Sequence, residues 1–534
     1  MSITSAAIAL PTLAADRVTF YYPPFFEASI SVDSLEVFAD DGTIADELTF
    51  YARFVEPDQI EALRDILQRR FRVSAITVSQ FTYTEIGEIL LRQLGQVLRT
   101  ESNQNGFYSL RAALLQAAAR NPEGLTIIDL LRAFPVDTIR VDVRLGLDTA
   151  EELSSFFLRR DAIVAAIQQK AILEAAANPI DASALPDLRT PGRLRAQTLP
   201  LSFSTANRER AVAATLYLPE VRTNTPVEPA PVIVISHGIA SDRTTFAYLA
   251  QHLASHGYVV ALVEHPDTSA RRFEQFFSGF DYPPDSLDLI TRPLDITALL
   301  DELERRSQTN PSFQGRMDLD RVGVIGQSLG GYTVLALAGA QLNFPRIRQE
   351  CVDPELRQLS FNLSILLQCR AIDLPSDVYN LQDDRVKAVL AINPIDSLLF
   401  GQEGMSQIQI PTMIVAGSED IFAPPPEEQF HPFHWLTTDE KYLVVLGQGT
   451  HFSFLNTGRQ RGVLPVPPDL IGPDPVEVQP YLKVLSTAFF NAYLNDNPTY
   501  LPYLSASYLH SIDQDPFSLS LVRELTEEQL NAVP

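Results

Sequence analysis

Three residue types that cooperate in nucleophilic acyl chemistry occur late in the chain, in the order Ser328, Asp420, His451. A serine hydroxyl is a weak nucleophile at neutral pH until an imidazole accepts its proton. The imidazole in turn needs a carboxylate to fix its tautomer and stabilise the imidazolium that forms. Ser328 sits in Gly326-Gln327-Ser328-Leu329-Gly330, between the apolar run 322–325 and an apolar, small-residue stretch that reads as a helix. With 24 glycines in 534 residues, chance yields a GxSxG in roughly one such chain in ten. The motif gains weight from its place between strand and helix.

The elements that must position these residues can be read around them. Short apolar runs at 232–235, 258–263, 322–325, 386–392, 412–416 and 442–446 alternate with helical segments. Such runs, bounded by turn residues, predict a mostly parallel sheet buried on both faces. In an open α/β sheet, ligands bind at the carboxyl ends of the strands. Immediately after the runs stand "SHGIASDR", "EHPD", "GQSLGG", "GSED" and "GQGTH", so serine, aspartate and histidine each fall at such an end. Their order is that of an α/β-hydrolase. The oxyanion donors expected there are the backbone N–H groups of Leu329 and of Ile239 in "HGIA". Asp420 is taken as the acid, with Asp396 in "AINPIDSLLF" as the alternative. His237 and His265 are expected to shape the oxyanion turn and pocket wall. His252 and His256 read as packing or surface residues. His431 and His434 form an HxxH pair without a third ligand type nearby, so neither a metal nor a cofactor is expected.

Residues 17–177 predict a mainly α-helical domain. In "DQIEALRDILQRRF", Ile60, Leu63, Ile66, Leu67 and Phe71 share a helical face. Further helices are predicted at 83–98, where Thr84 is placed to cap, at 109–120, at 124–134 and at 150–177. The first histidine of the chain is His237, so acid–base chemistry is not expected in this half. A Pro- and Asp-containing linker at 178–193 leads to the hydrolase domain at 194–500, followed by a C-terminal extension at 501–534. An insertion at 341–384 after the elbow helix reads equally as a lid and as a decorated loop.

Composition bounds the function. The net charge of −25 opposes binding to nucleic acid. No run of 18 apolar residues offers a spanning helix. Residues 1–16 read as the end of an export signal or as a mobile terminus. The two cysteines, Cys351 and Cys369, suit a disulfide closing a short loop in an oxidising compartment. Two buried free thiols are the alternative. The balance favours export.

"SHGIASDRTTFAYLAQHLASHGYVVALVEHPDTSA" (236–270) and "GVIGQSLGGYTVLAL" (323–337) closely resemble the platelet-activating factor acetylhydrolase family of α/β-hydrolases. The resemblance covers about 195–460. It implies calcium-independent cleavage of short or oxidised acyl groups from phospholipids, and with it transient contact with a membrane surface. By it Ser328 is the nucleophile, His451 the base, and Ile239 and Leu329 the oxyanion donors. Gln327 stands where the family usually has histidine. The family's best-known members take their acid from the preceding strand, near Asn393 and Asp396 here, which weakens transfer of substrate specificity. The helical half resembles an uncharacterised domain that precedes such hydrolases in certain bacterial proteins. A general carboxylesterase or polyester hydrolase is the competing enzyme expectation, and a silent binding protein on the same fold the non-enzymatic one. Oligomeric state is not legible.

Overall fold

The computed structural model describes residues 14–22, 26–53, 57–205, 211–220, 228–352, 361–375, 378–456 and 468–532. The candidate export segment therefore lies, up to residue 13, outside the described residues. The chain divides into two compact units, one built on Met1–Ser155 and the other on Phe156–Pro534, with short exchanges between them.

The first unit is helical, as expected, through α1 (Val32–Asp41), α2 (Asp46–Ala52), α3 (Pro57–Gln68), α4 (Ala75–Thr82), α5 (Glu85–Val97), α6 (Phe107–Arg120) and α7 (Ile127–Arg132). Thr84 does cap α5, its hydroxyl accepting from Gly87 N–H at 3.0 Å. The unit also holds a four-stranded sheet that the helical expectation omits. β1 (Arg17–Tyr22) and β2 (Phe26–Ser31) form a hairpin. β4 (Thr138–Asp142) pairs parallel to β1 and antiparallel to the two-residue β3 (Leu98–Arg99). The parallel pairing joins segments far apart in sequence, which local periodicity cannot reveal. The apolar face of α3 is also less buried than its pattern implies. Leu67 is buried, whereas Leu63, Ile66 and Phe71 are exposed.

The boundary corrects the predicted linker. α8 (Val143–Ala177) runs without a break across the division, and its second half belongs to the larger unit. Ile163, Val164, Ile167, Ala171 and Ala175 bury one face of that half in the same core as the large sheet. Within residues 178–193, Leu188 is buried in the core on the sheet's other face and Ile180, Ala182 and Leu185 pack against it, while most of the rest are exposed.

The larger unit is built on a nine-stranded sheet in the order β13-β12-β11-β10-β9-β7-β8-β6-β5. Its strands are β5 (Ala196–Phe203), β6 (Val212–Pro219), β7 (Ala230–Ser236), β8 (Val259–Glu264), β9 (Met317–Gln327), β10 (Val386–Ile392), β11 (Thr412–Gly417), β12 (Lys441–Leu446) and β13 (Leu519–Val522). The central strands β8, β7, β9, β10, β11 and β12 are parallel. β5, β6 and β13 add antiparallel edges. Each central strand coincides with one of the expected apolar runs, because a strand buried on both faces must be apolar at nearly every position. Helices α9 (Ala247–Ser255), α10 (Ala270–Phe277), α11 (Asp288–Thr309), α12 (Leu329–Leu337) and α13 (Phe344–Val352) follow in chain order. The predicted C-terminal extension is part of this domain, since β13 closes the sheet edge against β12.

The described part of the 341–384 insertion is packed into the core rather than lying loose. Cys351 and Cys369 form a disulfide, and Ile347, Ala371, Leu374 and Leu381 are buried beside it. Residues 353–360 and 376–377 of the insertion lie outside the described residues.

Candidate active site

Ser328 ends β9 and opens α12 with φ 58° and ψ −122°. A positive φ is uncommon for a residue with a side chain, and such strain collects at functional sites. The elbow is held by a 2.9 Å bond from Ser328 N–H to the carbonyl of Ile392 at the end of β10. The flanking glycines answer to crowding. A Cβ at Gly326 would stand 1.9 Å from the Gly330 carbonyl oxygen, and one at Gly330 would stand 2.3 Å from that of Ser236. No other residue fits this crossing of strand and helix.

His451 and Asp420 meet although they stand 31 positions apart in the chain. Nδ1 of His451 lies 2.6 Å from Oδ2 of Asp420. Asp420 is buried, and its Oδ1 accepts from the N–H groups of Phe422 and Ala423, each at 2.8 Å. Two backbone donors and one ring donor thus set the carboxylate, which holds the proton on Nδ1 and leaves Nε2 as the basic nitrogen.

Asp396, the alternative acid, is fully buried but makes no hydrogen bond through either carboxylate oxygen. Burial, reinforced by the nearby Glu428 charge, raises its pKa well above the ordinary range. Glu428 is itself held by Asp396 N–H and by Ser397, Asn362 and Gln368. The structure thus pairs His451 with Asp420 and not with Asp396.

Two residues that the motif did not single out join the loops. Gln327 donates from Nε2 to the main-chain carbonyl of His451 at 3.2 Å. Asn393 accepts from Gly417 N–H at 2.8 Å and donates to the Thr450 carbonyl at 3.2 Å, tying the acid strand to the histidine loop. Their only signal in the sequence is position, one residue before the serine and one after β10.

The turn carrying Ile239 lies against the elbow, since a Cβ at Gly238 would come within 3.2 Å of Ser328 Cβ. Leu329 is the first residue of α12, where helix N–H groups have no intrahelical partner. His252 packs on Thr487 and His256 reaches the Thr190 carbonyl. His434 bonds the Leu525 carbonyl, and His431 stacks on Trp435. Among the described residues no group of three or more His, Cys, Asp or Glu could hold a metal ion. None of their helices is long and apolar enough to cross a membrane.

Beside His451 opens a cavity of about 300 Å³ lined by Phe157, Arg160, Glu419, Ile421, Phe422, Thr450 and Leu470. The second half of α8 therefore supplies part of its wall. Arg160, with its side chain 13% exposed, lies over the Phe157 ring and pairs with Asp161.

A mostly parallel sheet flanked by helices, a strained serine between strand and helix, and a paired aspartate and histidine at two later strand ends define an α/β-hydrolase fold. Comparison with known proteins agrees. Residues 14–142 match the family described as "Alpha/beta hydrolase of unknown function", and residues 206–278 match "Platelet-activating factor acetylhydrolase, isoform II". The first match falls on the smaller unit. Among individual proteins, the chain is 28% identical to platelet-activating factor acetylhydrolase of Bos taurus over 140 residues, 20% of this chain and 32% of that protein. It is 25% identical to Cutinase est1 of Thermobifida alba over 298 residues, 54% of this chain and 76% of that protein. A cutinase of Thermobifida fusca (strain YX) is 29% identical over 168 residues, 30% of this chain and 47% of that protein. The chain thus spans about a third of the bovine acetylhydrolase.

Proposed function

We propose that this protein is a serine hydrolase of carboxylic esters, with Ser328 as nucleophile, His451 as base and Asp420 as the acid that orients it. The observation that carries the reading is the buried Asp420–His451 pair, whose loop is tied to the strained serine elbow by the bond from Gln327 to the His451 carbonyl.

The reaction runs in two halves. His451 Nε2 takes the Ser328 proton as Oγ adds to the ester carbonyl, and the N–H groups of Ile239 and Leu329 receive the oxyanion. The tetrahedral species collapses, the alkoxide leaves with the proton from His451, and an acyl-serine remains. Water then repeats the sequence, yielding the carboxylic acid and free Ser328. No cofactor or metal enters these steps.

For substrate, we favour acyl esters with an apolar portion, lipid-like as in the acetylhydrolases, whose family pattern matches residues 206–278. Phe157, Ile421, Phe422 and Leu470 give the cavity the apolar walls such a group needs. A polyester substrate is the second reading, favoured by the longer match to Cutinase est1. An oxidising, exported setting is part of the proposal and is supported by the Cys351–Cys369 disulfide.

Hydrolysis of p-nitrophenyl esters from acetate to palmitate, by wild type and Ser328→Ala, tests the reading. Activity should vanish in the variant. Preference for acetate or butyrate would favour the acetylhydrolase-like reading, whereas film erosion of an aliphatic polyester would favour the second. Equal activity in both proteins would overturn Ser328 as the nucleophile, whereas no hydrolysis together with no labelling of Ser328 by a fluorophosphonate would leave a non-catalytic binding protein.

A further inference from the structure

Beneath the oxyanion turn lies a polar cluster that the three proposed catalytic residues do not use. His237, His265, Asp295 and Arg292 are all buried, none more than 1% exposed. The N–H of His265 donates to Nε2 of His237 at 3.1 Å, so that nitrogen carries no proton. His237 is therefore neutral with its proton on Nδ1, and Nδ1 donates to the Gly238 carbonyl at 2.7 Å.

That carbonyl belongs to the peptide whose N–H is Ile239. In a trans peptide C=O and N–H point to opposite sides of one rigid plane. A ring that holds the Gly238 oxygen therefore also sets the direction of the Ile239 N–H. The peptide before it is held as well, because Arg292 donates to the His237 carbonyl. The same guanidinium reaches Thr333 in α12, the helix that follows the nucleophile, at 3.1 Å. His265 is braced in turn, with Nδ1 2.9 Å from Asp295 and Nε2 2.9 Å from Ser236 Oγ. Ser236, His265 and Asp295 thus have the connectivity of a second Ser-His-Asp set. The Ser236 hydroxyl is fully buried and receives Arg292 at 3.2 Å, so it braces the turn and does not attack.

We propose that His237 is a positioning residue of the oxyanion hole, its ring orienting the Gly238–Ile239 peptide and the buried His265–Asp295–Arg292 set holding that ring. The proposal rests on the hydrolase reading and on Ile239 as an oxyanion donor.

The test compares His237→Gln and His237→Asn with wild type on p-nitrophenyl butyrate, alongside inhibition by a butyl trifluoromethyl ketone. Glutamine places its amide near the former Nε2 and cannot hold the Gly238 oxygen. Asparagine places an N–H donor near the former Nδ1. In His237→Gln, kcat should fall about 100-fold, the loss typical of one missing oxyanion donor. KM should stay within twofold, and ketone affinity should fall with kcat. In His237→Asn the loss should stay within about tenfold. A kcat for His237→Gln within twofold of wild type, or equal losses in the two variants, would overturn the proposal. Labelling of wild-type Ser328 by a fluorophosphonate separates the two levels. If it fails, the hydrolase reading falls; if it succeeds while His237→Gln remains normal, only the positioning role falls.

Discussion

The side-chain amide of Gln327 donates to the main-chain carbonyl of His451 at 3.2 Å, so the residue before the candidate nucleophile anchors the loop that carries the candidate base. A shift of about 1 Å in a catalytic group can cost 100-fold in rate. Gln327→Ala should therefore lower kcat on p-nitrophenyl butyrate by about tenfold, and lower stability by about 1 kcal/mol. Steady-state kinetics and urea unfolding would check both; an unchanged kcat would show that the loop needs no such anchor.

The two aspartates make opposite predictions. Asp420→Asn keeps the shape but presents an amide to His451 Nδ1 and disturbs the tautomer, so kcat should fall by about 10⁴. Asp396→Asn should leave kcat unchanged. Because the folded pKa of Asp396 is raised, its contribution to stability is full below about pH 3.8 and declines as pH rises toward the folded value. Asp396→Asn should accordingly be more stable than wild type at pH 8, by about 1–3 kcal/mol. Urea midpoints at pH 4 and pH 8 would read the difference. A large activity loss in Asp396→Asn would reverse the assignment of the acid.

Two buried histidines predict how stability responds to acid. Burial, aided by the Arg292 charge, pushes His237 down to about 3. Burial, with His256 and Lys483 adding to it, does the same to His252. Both rings stay neutral in the fold while the unfolded chain takes up protons below about 6.5. Their contribution is therefore intact above about pH 6.5 and is lost as pH falls toward 3. His252→Gln keeps a group facing Thr487 and removes the titration, so its urea midpoint should fall less steeply from pH 7 to pH 4 than that of wild type. Parallel curves would disprove the assignment.

Arg160 and Glu419 place opposite charges on the cavity beside His451. A charge-assisted hydrogen bond contributes about 1.5–3 kcal/mol. If an anionic substituent on the substrate reaches Arg160, Arg160→Ala should raise KM for p-nitrophenyl hemisuccinate by about tenfold or more, and leave KM for the butyrate ester unchanged. Glu419→Gln should act in the opposite direction on the hemisuccinate. An equal response of both esters to Arg160→Ala would make the arginine a packing residue.

Much of this molecule was legible residue by residue. The apolar runs that became β7 to β12 could only be strands of a doubly covered sheet, and polar residues at their ends could only face the crevice. Ser328 was marked by its glycines, whose need lies in contacts of 1.9 and 2.3 Å that any side chain would violate. Local pattern did not reach the hairpin and parallel pairing of the first sheet, or the extension of the hydrolase core backward into α8. For the parallel pairing and for α8 the partner lies far along the chain, and the driving force is burial of a face shared between distant segments.

Sequence by itself determined the class of chemistry, because nucleophile, base and acid types stand at strand ends in one order. It favoured Asp420 over Asp396 as the acid, but both follow parallel strands and local pattern does not show which one meets the histidine. Tertiary structure brings Asp420 to 2.6 Å from His451 and leaves the Asp396 carboxylate oxygens without a hydrogen bond. It likewise assembled Arg292, His265 and Asp295 around His237. Hydrogen bonds of that kind act over about 3 Å between residues that no spacing rule relates.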